Sequence, residues 1–171
     1  MIAVELIRYI HAARKMYLKA LSELPWDEVV KDRGTSFPSL KDRFVHALGV
    51  EDRIINYVIP GKFPGYDEWN KVIDPVKFSN MNIIREYVNE VEEKVNAYLE
   101  NMSSHELNRK VKVPRRTSPT YLLRIADIFV HIGVENIYHM GEMEAIFYQT
   151  DKQPPFLDWS GFLQETIPKV R

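Results

Sequence analysis

The sequence contains no cysteine. That excludes disulfides, thiolate metal ligands and a cysteine nucleophile, so any metal must be held by histidines and carboxylates. It also fits the cytoplasm, where the chain is expected to work. Charge of one sign is lacking too: 23 basic against 24 acidic residues leave a net charge of −1. No overall basic field recruits nucleic acid or anionic lipid, so neither is expected as a partner. No apolar run approaches the roughly 20 residues of a membrane span. The apolar N-terminal stretch is interrupted by Glu5, Arg8, His11, Arg14 and Lys15, which argues against a signal peptide. Several motifs are absent as well: HExxH, the P-loop, GxGxxG and GxSxG. Nor does the chain carry the paired Glu-x-x-His of ferritin-like di-iron sites. Internal repeats and low-complexity stretches are also missing.

What is present is helical periodicity. At 171 residues the chain suits one domain with a real core. Four long amphipathic patterns are predicted. The first covers 2–24 and ends at Pro25. The second covers 39–59, with Ser39 as N-cap and Asp42 three residues on, closed by Pro60 and Gly61. The third covers 80–102, with Ile84, Val88, Val91, Val95 and Leu99 along one side. The fourth runs over 119–148, opened by Ser118-Pro119 as N-cap and first helical residue. The link 60–79 is long enough to cross a bundle and set helices two and three parallel. Residues 103–118 contain VKVPRR, read as a short extended excursion. The run KVKVPRR over 110–116 reads as a solvated loop. The tail, 151–171, with its FLDWSGF, reads as a cover on one end of the bundle. The expected fold class is all-α, a four-helix bundle.

One stripe of the fourth helix carries His131, Glu135, His139 and Glu142, at i, i+4, i+8 and i+11. Projected at about 100° per residue, Glu135 and His139 fall among Ile125, Ile128, Ile132, Met143 and Ile146. A carboxylate on such a face is expensive unless paired, protonated or bound to a cation. Spacing of i, i+4 lets two side chains chelate one ion. The alternative is an intrahelical Glu–His hydrogen bond. A third ligand should come from another helix, and His46 lies on the apolar side of helix two near Val50, Ile54 and Tyr57. A core histidine bonded to a carbonyl is the competing reading for it. His131 is a possible fourth ligand or a partner that orients a ligand. Glu142 is open to the same roles, or is a solvated residue at the helix edge. His11 and His105 are set aside.

The segments LKDRFVHALGVEDRIIN, SSHEL and TSPTYLLRIADIFVHIGVENIYHMGEM together resemble the DinB-like superfamily of metal-binding four-helix proteins, over most of the chain. The resemblance implies a single bundle domain over 1–171 in up-down-down-up order. It implies a divalent ion, zinc, nickel, iron or manganese, on His46, Glu135 and His139. Glu51, five residues after His46, and Glu142 become candidate general bases. Two departures stand out. The middle ligand, usually histidine, is Glu135, and the usual Arg-Gly-Gln is Met140-Gly141-Glu142. The implied function is a metal-dependent hydrolase or thiol transferase acting on a small molecule, with a low-molecular-weight thiol among the expected substrates. The alternative is a non-catalytic homodimer with a structural or vestigial metal site. A DNA-associated role is suggested only by the family's DNA-damage history, and the charge balance opposes it.

Overall fold

A computed structural model describes residues 2–114 and 120–166. Four long helices dominate it: α1 (Ile2–Ser22), α3 (Leu40–Arg53), α5 (Met81–Glu100) and α7 (Ile125–Phe147). Between them lie the short helices α2 (Trp26–Val30), α4 (Tyr66–Val72) and α6 (Ser104–Asn108), and α8 (Trp159–Thr166) follows. The described chain is mostly helical, as the sequence implies. The exception is an antiparallel ribbon of β1 (Lys110–Val113) and β2 (Tyr121–Arg124), with Val111 opposite Leu123.

Local sequence accounts for most of these boundaries. On α1, buried residues recur at Ile7, Ile10, Arg14, Tyr17 and Leu21, steps of three and four that draw one stripe. Ser39 caps α3 by accepting from the Asp42 amide at 3.0 Å. Asn80 caps α5 by accepting from the amides of Asn82 and Ile83. The helical pattern after Arg53 widens into a π-turn over Ile54–Val58. Helix α7 begins at Ile125, not at 119. Residues Tyr121–Arg124 are extended because β1 offers their backbone a partner. The helix then starts where Asp127 accepts from the Arg124 amide and guanidinium. Ser118-Pro119 and the end of the KVKVPRR run lie outside the described residues.

Helix α7 packs against both α1 and α3, and α5 meets those same two helices from the other side. Gly133 permits the α1–α7 approach: a Cβ there would fall 2.3 Å from a Leu6 methyl. Gly49 plays the same part on α3, where Ile73 of the 60–79 link sits on bare backbone. That contact holds the link, with Trp69, over the outer face of α3. The tail lies on α1: the Tyr9 hydroxyl donates to the Leu157 carbonyl at 2.7 Å, and Trp159 and Phe162 meet the Tyr9 ring edge-on.

Candidate metal centre

Because α3 and α7 pack together, His46 on one faces Glu135 and His139 on the other. One donor atom from each of the three lies within 4.8 Å of the other two. His139 is buried; His46 and Glu135 are half-buried. Nε2 of His139 stands 3.6 Å from Glu135 Oε2. The two imidazoles are nearly perpendicular, with centroids 5.0 Å apart. Phe37 stacks on His46 at 4.0 Å and meets His139 edge-on, shielding both rings. Burial, then the neighbouring His139 and Arg53, lower the His46 pKa to about 4. At neutral pH His46 therefore offers a lone pair. Ligands on a tetrahedral ion stand roughly 3.4 Å apart, given bonds of about 2.1 Å. The 3.6 Å between His139 Nε2 and Glu135 Oε2 is close to that spacing. Two imidazole nitrogens and one carboxylate suit a borderline divalent ion.

Glu142 is not a solvated edge residue. Its Oε2 accepts from His139 Nδ1 at 2.8 Å and from the Arg43 guanidinium. Burial opposes ionisation of Glu142, but the Arg43 and His139 bonds outweigh it and hold the carboxyl below the usual value. An ionised carboxylate only accepts, so His139 carries its proton on Nδ1. Nε2 is the ring nitrogen on the Glu135 side. This is the carboxylate–histidine arrangement that orients metal ligands. Arg43 is itself buried, and it donates to Thr35 Oγ1 at 2.7 Å and to the Phe37 carbonyl at 2.9 Å. One guanidinium thus ties Glu142 to the segment that carries Phe37. Sequence reasoning passed over Arg43, although it sits three residues before His46 on the same helix.

Glu51 lies elsewhere. It is fully buried, and both its oxygens are engaged, one by His11 Nε2 at 2.6 Å and the other by Arg14. Arg14 also donates to Asn136 Oδ1 at 3.2 Å and faces Glu92 at 3.7 Å, with Lys15 beyond at 3.6 Å. Burial alone would raise the Glu51 pKa; Arg14 and His11 reverse that and hold it near about 2. So placed, Glu51 has no free oxygen to offer as a base. His11, set aside above, is buried in this cluster. Its position one residue after Ile10 on the buried stripe was the available signal. His131 is exposed on α7 and stands outside the three-residue group, and His105 is exposed on α6.

Glu135 also borders a cleft of about 800 Å³. Arg53 of α3, Ile54 of the π-turn, Phe63, Tyr66 and Trp69 of the link, Tyr121 and Leu123 of β2, and His131 line it. The candidate ligand group therefore meets, through Glu135, a chamber of the size small molecules occupy. A second, mostly apolar cavity of about 450 Å³ between α1, α7 and the tail holds none of the three ligand residues.

Two imidazoles and a carboxylate that converge between helices, beside a cleft, form a group that could hold a metal ion. The chain belongs to the DinB family, whose model matches residues 1–170. No curated protein matches it. Among the described residues, no helix is long and apolar enough to cross a membrane.

Proposed function

We propose that the chain is a divalent-metal-dependent enzyme acting on a small molecule held in the Glu135 cleft. The observation that carries this reading is the convergence of His46, Glu135 and His139, of which Glu135 lines the cleft. Family membership supports it. His46 and His139 supply neutral donors, Glu135 supplies one negative charge, and Glu142 fixes the His139 tautomer. Bound there, the ion would supply Lewis acidity and lower the pKa of a water or substrate thiol toward neutrality. Phe37 excludes water from the two imidazoles. His131, on the cleft wall one turn before Glu135, is placed to exchange a proton with a bound molecule. Glu142 is then a positioning residue and not the base, because Arg43 and His139 lower its basicity. Hydrolysis and thiol transfer both fit; in the second the substrate brings the sulfur, since the chain has none in cysteine.

Elemental analysis of untagged protein tests the metal, with about one ion per chain expected. A panel of activated esters and of thiols with electrophiles then tests turnover, with and without chelator. Protein that is free of metal, and whose melting temperature ignores added zinc, nickel, iron and manganese, ends the proposal.

A second reading rests on α7, whose Val130, Val134, Ile137 and Tyr138 are exposed. In it the chain is a homodimer and the ion is structural. Sedimentation showing a dimer, with metal bound but no substrate turned over, favours that reading. We also infer the up-down-down-up order of the long helices, supported by a 60–79 link long enough to cross the bundle.

A further inference from the structure

Arg53 is the last residue of α3, seven positions after His46, and is only 5 % exposed. Its Nε donates to the Gly49 carbonyl at 3.0 Å, and its guanidinium carbon lies 4.8 Å above the Trp69 ring. Among the described residues, no carboxylate comes within ion-pair distance of it, and no hydrogen bond engages Nη1 or Nη2. Asp52, its neighbour, is spent elsewhere: its oxygens accept from Asn56 and from the Tyr87 hydroxyl at 2.9 Å. Glu135 attracts Arg53 from across the cleft but belongs to the ligand group. A largely buried guanidinium without a counter-ion is costly to the fold. Trp69 offsets part of that through its ring face. The fork of Nη1 and Nη2 remains, on the wall of the cleft.

We propose that Arg53 is an anion clamp, and that the cleft takes a small carboxylic acid with an apolar, aromatic-sized body. The planar fork matches a carboxylate with two parallel hydrogen bonds. Phe63, Tyr66, Trp69, Tyr121 and Leu123 form the walls that would receive the body. A phosphate dianion fits less well, because the cleft brings one guanidinium and an opposing carboxylate, Glu135, instead of several cations. The backbone agrees with a ligand role: the π-turn over Ile54–Val58 begins directly after Arg53, and such turns concentrate at functional sites. A carboxylate held by Arg53 leaves the far end of the molecule toward Glu135. This deepens the enzyme reading and rests on it for the molecule being a substrate; the clamp itself does not require the ion.

The test uses benzoate, phenylacetate and 3-phenylpropanoate, each against its uncharged amide, by calorimetry. Three full-length proteins are compared: zinc-loaded wild type, zinc-loaded Arg53→Gln, and His139→Ala without metal. At least one acid is expected to bind wild type about tenfold or more tightly than its amide. Arg53→Gln should remove that preference, leave the amide's affinity alone and keep its zinc. His139→Ala should keep the preference, which separates clamping by Arg53 from direct ligation of the acid to zinc. If Arg53→Gln fails to fold, Arg53→Lys serves, since it keeps the charge but loses the fork and should weaken the acid selectively. Equal binding of acids and amides, undiminished acid binding in the variant, loss of the preference in His139→Ala, or no binding of any acid overturns the clamp. Wild type that takes up none of zinc, nickel, iron or manganese overturns the enzyme reading instead, and the acid–amide comparison in metal-free protein still decides the clamp.

Discussion

Helices α3 and α7 carry two polar clusters made of much the same residue types, and the two are finished differently. In one, Glu51 has Arg14 and His11 on its two oxygens, Asn136 braces Arg14, and Glu92 sits between Arg14 and Lys15. Charge is met by charge inside the protein. In the other, His46, Glu135 and His139 face one another with no internal cation among them. The clusters are close relatives in sequence. Glu51 follows His46 by five residues, and Asn136 follows Glu135 by one. A helix turns about 100° per residue, so adjacent positions on α7 serve opposite purposes. A closed network specifies packing; an open set of donors beside a cleft specifies a ligand.

The sharpest way to break the comparison is Glu51→Ala. It strips the counter-charge from buried Arg14 and should cost about 3–5 kcal/mol of stability in urea unfolding, while metal stoichiometry in the folded fraction stays unchanged. A pH series sharpens the same point. The folded-state pKa of Glu51 lies below its ordinary value of 4.5, at about 2. Its contribution is therefore full above about 4.5 and is lost as the pH falls toward about 2. Denaturant titrations should show that acid limb in wild type and a flatter one in Glu51→Gln.

The open cluster should respond to metal instead. Zinc at about 100 times its dissociation constant should add about 2.7 kcal/mol, read as a rise in melting temperature. His46→Ala and His139→Ala should abolish the rise and leave the metal-free melting temperature far less changed than Glu51→Ala does. Smallest is Glu142→Gln. It keeps the shape but loosens the tautomer lock on His139, and metal affinity should weaken about 10–100-fold in a competition titration. A variant that binds metal as tightly as wild type would show that His139 needs no such partner.

Several boundaries were legible because their causes are local. Pro25 follows the end of α1, Ser39 caps α3, and the extended excursion expected within 103–118 includes β1. The start of α7 was not legible: Tyr121–Arg124 suit helix or strand, and only pairing with β1 decides. The i, i+4 spacing marked Glu135 and His139 as a pair able to share an ion, and the apolar side of helix two pointed to His46, which the structure sets beside them. Arg43 and Arg53 gave no such mark, because a buried arginine reads in sequence like an exposed one.

By itself, then, the chain dictated helices, their apolar stripes and which polar residues intrude on them, since periodicity and capping act within a few residues. Which intruders meet was decided by the packing of α7 against α1 and α3. His11 reaches Glu51 across 40 positions and Arg14 across 37, separations over which no local rule operates. The same packing brought His46 to Glu135 and His139, and left the cleft beside Arg53 open.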